Sequence, residues 1–282
     1  MALRALPPDR FSDVRLSPEA EAAGYRLSVL DETDSTSNDA FAAARAGDPG
    51  RRWFVARRQS AGRGRHGRQW ASPPGNLYAS LLLVEPCPPA VAPQLGFLAG
   101  IAAHDAVSRV TGIGAPRLAL KWPNDLILDG GKLAGLLLEG QFLQPGGMFC
   151  VAVGIGVNVA SAPQGTPYPT RTLEDASAAV AIPDLFAALS RAFAEAYEPW
   201  RAAQAQGPDA FGAVRQAWLA RAAGIGGAVT LRLPSGERQG AFRGLDASGR
   251  LQLETAAGLE LIDAGDLYFA GLGTPSSAHL GA

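Results

Sequence analysis

The apolar pattern of the chain changes near residue 223, and this change restricts the possible folds more than any other feature of the sequence. Before it, strand-like runs alternate with stretches of helical period, and two amphipathic helices are predicted between residues 182 and 222. After it come short β runs separated by turns: AVTLRL, ERQGAFRGLD, GRLQLET and LELIDAGDLYF. Such spacing is typical of a small barrel or sandwich. We therefore predict an arm (1–24), a large domain (25–222) and a small domain (223–282).

The large domain is predicted to contain several strands and helices. Alternating or continuous apolar runs predict strands at YRLSVLDE, WFVAR, NLYASLLLVE, RLALKW and MFCVAVGIGVNV, and a hairpin at DLILDGGKLAGLLLEG that turns about Gly130 and Gly131. A helix is predicted over NDAFAAARAG, with Asp34 or Ser35 as its N-cap and Gly47 as its stop. A second helix is predicted over residues 90–110.

Charge and composition exclude several classes of protein. The formal net charge of −1 gives no general attraction to nucleic acid or to an anionic membrane. The longest apolar stretch, residues 89–103, is interrupted by polar and helix-breaking residues, and the N-terminus has no sustained apolar segment. The two cysteines, Cys87 and Cys150, lie in apolar stretches and suit free thiols in a reducing compartment. We expect a soluble cytoplasmic protein that binds neither DNA nor membrane.

A loop rich in arginine and glycine follows the strand WFVAR. Seven arginines fall within residues 51–68: Arg51, Arg52, Arg57, Arg58, Arg63, Arg65 and Arg68. They indicate a bound anion, and the interspersed glycines let backbone N–H groups approach a ligand closely. The spacing also fits the dinucleotide motif G-x-G-x-x-G, but that motif opens a helix, and the sequel RQWASPPGN cannot form one. A solvated basic loop or a weak RNA contact stays open as an alternative.

Lys121 and Lys132 are the two lysines of the chain, and the rest of its 25 cationic side chains are arginine. An ammonium is a compact point charge, so a site that places one charge between two oxygens can reject the planar guanidinium. KWPNDLI sets Lys121, Asn124 and Asp125 around a proline-fixed turn, and glycines flank Lys132. Coincidence, or a purely structural role in the turn, stays open for each residue alone. The whole set indicates a polar cluster that binds a ligand.

Five motifs occur in an order that resembles the biotin protein ligase family. They are DSTSNDA at 34–40, RQSAGRGRHGRQW at 58–70, KWPNDLI at 121–127, GKLAGLLLE at 131–139 and GIGVNV at 154–159. The later FRGLDASGRLQLET resembles the small SH3-like domain of that family. The resemblance implies an α+β fold, in which a mixed sheet with flanking helices, similar to that of class II aminoacyl-tRNA synthetases, precedes an SH3-like β-barrel. Forms with an N-terminal helix-turn-helix also repress transcription, and this chain is expected to lack that module.

The resemblance also implies an activity. The enzyme would use ATP, with Mg²⁺, to form biotinyl-5'-AMP, and would transfer biotin to a lysine of a biotin carboxyl carrier protein domain. The arginine and glycine loop would act as a lid over the intermediate. No metal cluster is expected in the protein itself, and Mg²⁺ would come with ATP near Asp125. An exposed sheet edge would allow a homodimer.

Site residues are carried over from the matching motifs. The biotin-binding set is Ser35, Thr36, Ser37, Gln59, Gly62, Arg63, Gly64, Arg65, Lys132 and Gly135. The ATP-binding set is Arg65, Arg68, Trp70, Lys121, Asn124, Lys132 and Asn158. Catalysis is assigned to Lys132, Arg63 and Asp125, with the Lys132 ammonium bridging the biotin carboxylate and the α-phosphate. The family often has asparagine where Ser37 stands, so either Ser37 or Asn38 makes the third contact with the ureido ring.

Two other functions compete with this prediction. A lipoate or octanoate ligase shares the fold and the catalytic lysine, but GRGRHGR and KWPND favour biotin. An RNA-binding module that uses the arginine loop belongs to a different class, and the near-neutral net charge argues against it.

Overall fold

A computed structural model describes residues 11–144, 147–204 and 210–269 of the chain. The helices are α1 (Pro18–Ala22), α2 (Thr36–Arg45), α3 (Gln94–Thr111), α4 (Ile182–Gln204) and α5 (Phe211–Leu219). The strands of a first sheet are β1 (Arg26–Thr33), β2 (Arg52–Gln59), β3 (Leu77–Val84), β4 (Leu118–Lys121), β5 (Asp125–Leu128), β6 (Gly131–Phe142) and β7 (Phe149–Val157). Apart from α1, which lies in the predicted arm, these are the strands and helices that the sequence patterns predict for the large domain.

The first sheet is mixed, as predicted. Its order is β1-β2-β3-β7-β6-β5-β4, with β1 and β2 parallel and all other neighbours antiparallel. Successive side chains of a strand point to opposite faces. Leu81 and Leu83 of β3 therefore join the main core with α3 and α4, while Leu82 joins a smaller cluster beneath α2. The face that carries α2 is the one on which the cavity described below opens.

The described part of the predicted arm packs on the large domain. Phe11, Val14 and Leu16 are buried in the main core, and the backbone N–H of Ser17 donates to Ser190 Oγ of α4 at 3.0 Å. Residues 11–24 are thus part of the folded body. Residues 1–10 of the arm lie outside the described residues.

The second sheet is antiparallel throughout and follows the linker after α5. Its strands are β8 (Ala228–Leu233), β9 (Gly236–Leu245), β10 (Leu251–Thr255), β11 (Gly258–Ile262) and β12 (Asp266–Phe269), in the order β11-β10-β9-β8-β12. The backbones of Leu120 and Arg221 are hydrogen-bonded at 2.7 Å, and the Trp122 indole donates to Gly249 O at 3.4 Å. These bonds fix the second sheet beside the first and bring β12 to the cavity.

Local turns explain several boundaries. The hairpin between β5 and β6 turns at Asp129 and Gly130, with φ of 46° and 78°, so the predicted turn at Gly130 and Gly131 is wrong by one residue. A two-residue hairpin needs left-handed backbone at both positions, which aspartate and glycine tolerate. Ser35 is the N-cap of α2, but its side chain makes no capping bond. In the parts of the chain that the structure describes, no helix has the length and apolar character needed to span a membrane.

Candidate active site

The floor of a cavity is a row of paired residues that crosses five strands. Tyr78 pairs with Gly156, Gly156 with Gly135, Gly135 with Asp125, and Asp125 with Lys121. Directly paired residues of antiparallel strands project from the same face of the sheet. The two glycines therefore leave a shallow, apolar trough between an aromatic end and a charged end.

The indole of Trp70 lies directly on these glycines. A Cβ at Gly156 would lie 2.6 Å from Trp70 Nε1 and Cε2, and one at Gly135 would lie 2.8 Å from Trp70 Cζ3. Both contacts are far shorter than the ordinary separation of carbon atoms, about 3.5–4.0 Å. Gly135 and Gly156 are therefore required by the approach of the ring. The sequence interpretation of GIGVNV as the glycine-rich end of a strand missed this requirement.

Hydroxyl groups at one end of the cavity form a directed chain. Gln59 Oε1 accepts from the Thr36 backbone N–H at 2.9 Å and from Thr36 Oγ1 at 3.1 Å, which fixes the orientation of its amide. Because an amide oxygen cannot donate, the hydrogen in the 2.7 Å contact between Thr36 and Ser80 comes from Ser80. The hydrogen in the 3.1 Å contact between Ser37 and Ser80 then comes from Ser37.

The hydrogen-bonded hydroxyl groups determine which atoms a ligand contacts at that end of the cavity. All the hydroxyl hydrogens point towards Gln59, so Ser37 and Ser80 present oxygen lone pairs to the cavity. Ser37, Ser80 and Thr36 are each at most 5% exposed, and a buried acceptor without a donor is costly. The end of the cavity therefore suits a ligand with N–H donors. Ser80, on a strand of otherwise apolar and aromatic residues, was missed from the sequence.

Lys132 lies where the cavity is most charged. Its Nζ is 2.7 Å from Asp125 Oδ1, an ion pair whose angles fall outside hydrogen-bond geometry. The same Nζ lies 5.4 Å from the ring centroid of Trp70 and 5.5 Å from that of Tyr168, within the range of cation–π attraction. The ammonium is held by one carboxylate and two aromatic faces, and is positioned to receive an anionic group.

Lys121 supplies a second ammonium to the wall of the cavity. Its Nζ lies 5.4 Å from the ring centroid of Tyr268. Burial lowers its pKa below the ordinary value for lysine, and the charge of Lys132 acts in the same direction, while Asp125 and Asp266 oppose the shift. Two neighbouring ammonium groups in one cavity wall are suited to bind a polyanion.

The seven arginines separate into two groups. Four pair with carboxylates outside the cavity: Arg51 with Glu198, Arg52 with Asp48, Arg57 with Asp31 and Arg58 with Glu32. The interpretation of all seven as an anion-binding set is therefore wrong for these four. Arg63, Arg65 and Arg68 line the cavity. Arg65 Nη1 donates to Asn124 Oδ1 at 2.9 Å, and burial lowers the pKa of Arg65.

The second sheet contributes one wall of the cavity through β12. Asp266, Leu267 and Tyr268 line it, and Arg68 Nη2 donates to Asp266 Oδ2 at 2.7 Å. Burial opposes ionisation of Asp266, but the bond from Arg68 and the charges of Arg68 and Arg65 outweigh it and lower its pKa. No motif distinguished these residues in the sequence, because the packing of the two sheets brings them to the cavity.

The predicted site residues converge, with two exceptions. Those that line the one cavity are Ser35, Thr36, Ser37, Gln59, Arg63, Gly64, Arg65, Arg68, Trp70, Lys121, Asn124, Asp125, Lys132 and Gly135. Gly62 does not line it and packs instead against the backbone of Trp70, where a Cβ would lie 2.6 Å from Trp70 O. Asn158 is also outside its wall, and its amide donates to the backbone carbonyls of Lys132 and Arg171 at 3.5 and 3.3 Å. Of the alternatives Ser37 and Asn38, Ser37 is the one that lines the cavity.

The protein offers little to a metal ion on its own. Within residues 11–144, 147–204 and 210–269, no group of three or more His, Cys, Asp and Glu side chains is placed to hold one. The carboxylates of Asp125 and Asp266 in the cavity wall are each paired with a cation. A divalent cation here would need most of its ligands from a bound phosphate.

Comparison with known proteins places the chain in a family. Residues 32–158 match the Biotin/lipoate A/B protein ligase family, and residues 224–269 match the Biotin protein ligase C terminal domain. The chain is 41% identical over 251 residues to a biotin–[acetyl-CoA-carboxylase] ligase of Paracoccus denitrificans, which covers 86% of the chain and 100% of that relative. The chain belongs to the biotin protein ligase family.

Other members of this family are also similar to the chain. A biotin–[acetyl-CoA-carboxylase] ligase of Mycobacterium tuberculosis is 34% identical over 275 residues, covering 94% of the chain and 97% of the relative. The structure of a biotin protein ligase from Aquifex aeolicus in complex with biotin and ATP has a TM-score of 0.70 and 26% identity, over 87% of the chain and 99% of that structure. The family and fold inferred from the five motifs are confirmed, and the protein is a ligase.

Proposed function

We propose that the protein activates biotin with ATP as biotinyl-5'-AMP and then transfers the biotinyl group to a lysine of a biotin carboxyl carrier protein domain. One observation carries this proposal: a single cavity joins an acceptor-lined end, an apolar trough and a lysine ammonium. Ser80 of β3 is in register with Leu137 of β6 across β7, and Lys132 lies five residues before Leu137, so the acceptors and the ammonium are separated both across and along the sheet. This order of groups matches a ureido ring, an aliphatic tail and a carboxylate.

The ureido ring of biotin would lie against the hydroxyl chain. Its N–H groups would donate to the lone pairs of Ser37 and Ser80, with Ser35 beside them, since the Ser35 hydroxyl makes no capping bond to α2. The aliphatic tail would lie along Trp70, whose indole packs on Gly135 and Gly156. The lipoyl ring has no N–H group to satisfy these acceptors, which favours biotin over lipoate.

The adenylation step joins two anions. Stabilisation of their negative charge by the cationic side chains of the protein should therefore contribute most to its rate. The Lys132 ammonium would lie between the biotin carboxylate and the α-phosphate, lowering their repulsion as the carboxylate oxygen attacks phosphorus and pyrophosphate leaves. Arg65, Arg68 and Lys121 would hold the phosphates, and Asn124 keeps Arg65 in place. Asp125 orients Lys132 through the ion pair at 2.7 Å.

Transfer needs a second nucleophile. The amine of the acceptor lysine would attack the acyl carbon of the mixed anhydride, and AMP would leave with the bonding electron pair. The residues that bind the phosphate of ATP would stabilise the departing AMP, and the loop around Gly64 would exclude water that competes with the amine. Mg²⁺ would accompany ATP near Asp125 and would supply further positive charge to the phosphates.

The setting of the reaction completes the proposal. We place the catalytic domain at residues 25–222 and the SH3-like domain at 223–282, with β12 of the latter closing the nucleotide side. The cytoplasm supplies the ATP and the carrier protein that the reaction needs. A homodimer through the β1 edge of the first sheet, and the absence of DNA binding, stay predictions.

The proposal is tested by incubating the protein with biotin, ATP, Mg²⁺ and an isolated carrier domain, and measuring the intact mass of the carrier. We expect one added biotinyl group, and none when ATP is omitted. Lipoate in place of biotin is the control for the related activity. Modification by lipoate at the rate of biotin, or no modification by either acid, would contradict the proposal.

A further inference from the structure

The guanidinium of Arg63 is clamped between a strand and a helix. Its Nε and Nη2 lie 3.2 and 3.1 Å from Glu139 Oε1, Nη2 is also 3.1 Å from Glu139 Oε2, and Nη1 donates to Asn38 Oδ1 at 2.8 Å. Glu139 belongs to β6 and Asn38 to α2. Arg63 itself comes from the loop, so a single side chain ties three segments together.

The Asn38 end of the clamp is itself fixed. Asn38 Nδ2 donates to Asp34 Oδ2 at 2.9 Å, which turns the amide oxygen of Asn38 towards Arg63. This bond from Asn38 is the largest of the effects that lower the pKa of Asp34, so the carboxylate is ionised at neutral pH. The orientation of Asn38 is therefore set by a charged acceptor.

The clamp adjoins the acceptor-lined end of the cavity. Leu137, two residues before Glu139 on the same face of β6, lines the cavity, as do Arg63 and Ser37, the residue before Asn38. Glu139 and Asn38 do not line it. We infer that Glu139 and Asn38 are positioning residues that hold Arg63 across this end of the cavity and so retain the ring of the bound acid.

The contacts of Arg63 also leave it poorly available to bind a phosphate. Its charge is paired with Glu139 through Nε and Nη2, and its Nη1 donates to Asn38. A phosphate would have to displace a carboxylate to bind there. These contacts favour a role of Arg63 in retaining biotin, as its motif implies, over a role in holding phosphate, an inference that rests on the proposed function.

The test replaces the carboxylate while keeping its shape. Glu139→Gln should raise the KM for biotin about tenfold, the loss expected for one hydrogen bond between charged groups, and speed release of biotinyl-5'-AMP by a similar factor. The KM for ATP should not change. Asn38→Ala should act in the same direction, and it gives a second reading if the first variant is poorly folded. Glu254→Gln, which alters an exposed pair with Arg243 in the second sheet, is the matched control.

A double-mutant cycle separates positioning from general destabilisation. If Glu139 acts through Arg63, Glu139→Gln should have little further effect in an Arg63→Gln background. Full additivity of the two changes would overturn the inference, as would a raised KM for ATP with unchanged biotin release. A wild-type protein that forms no biotinyl-5'-AMP would instead refute the proposed function, so the two failures are distinguishable.

Discussion

Replacing Gly156 by alanine tests whether the cavity is built on the contact between Trp70 and the glycine floor. The new Cβ would lie 2.6 Å from Trp70 Nε1 and Cε2, and 2.9 Å from Cζ2. Since carbon atoms normally approach to about 3.5–4.0 Å, the ring would have to move by about 1 Å. It would move away from the floor, into the volume of the ligand and towards Lys132, whose Nζ is 5.4 Å from its centroid.

Two magnitudes follow from this displacement. Overpacking of this size destabilises a folded protein by about 1–3 kcal/mol, which thermal or urea unfolding would detect. A displacement of about 1 Å in a catalytic arrangement lowers the rate on the order of a hundredfold. The assay is biotin-dependent exchange of labelled pyrophosphate into ATP, which reports the adenylation step without a carrier protein.

A control and a rescue make the result specific. Gly96→Ala on α3 introduces a Cβ with no atom within 4 Å, and should leave exchange unchanged. In a Trp70→Ala background, which removes the indole ring, Gly156→Ala should cost much less than in the wild type. Exchange by the single Gly156→Ala variant within twofold of wild type would refute the reasoning.

Three further predictions concern charge and hydrogen bonding. Lys132→Arg should lower pyrophosphate exchange on the order of a hundredfold, because a planar fork does not replace the ammonium, and near-normal exchange would contradict this role. Ser80→Ala should raise the KM for biotin about tenfold and leave that for ATP unchanged in the same assay, whereas an equal rise in both would exclude a specific contact. Asp48→Asn should lower the free energy of unfolding at pH 7 by about 1 kcal/mol. Burial opposes ionisation of Asp48, but bonds from Arg26 and Arg52 lower its pKa, so its contribution is present above the unfolded value of about 3.9 and is lost as pH falls through the native value. Unfolding curves of the two proteins should therefore converge below about pH 4, and a constant difference down to pH 3 would count against the ion pairs.

The elements of the fold were predictable because their signals are local. The strand WFVAR and the helix that begins after Ser35 follow from apolar spacing and from capping residues within a few positions. The turn between β5 and β6 was misplaced by one residue, since Asp129 and Gly130 both accept left-handed backbone and the pattern alone does not separate Gly130 from Gly131. The order of strands in the sheet carries no comparable local signal.

Most of the site residues predicted from the sequence line one cavity. Lys132 and Lys121 were distinguished by their rarity, and the motifs around them agree with a single cavity. Ser80 was missed because one serine in an apolar strand is unremarkable until Thr36 and Ser37 are brought against it. Asn158 was assigned to the nucleotide, although its amide bonds to backbone carbonyls outside the cavity.

By itself, the sequence determined most of the strands and helices and the change of pattern near residue 223, and it predicted which residues bind an acid and a triphosphate. The tertiary structure decided which partner each charge meets. Arg63 pairs with Glu139, 76 residues away, and Arg68 with Asp266, 198 residues away. Secondary-structure propensity and apolar spacing act over a few residues, whereas these pairings depend on the packing of whole sheets. The partner of each arginine, and hence its role, is therefore known only from the folded structure.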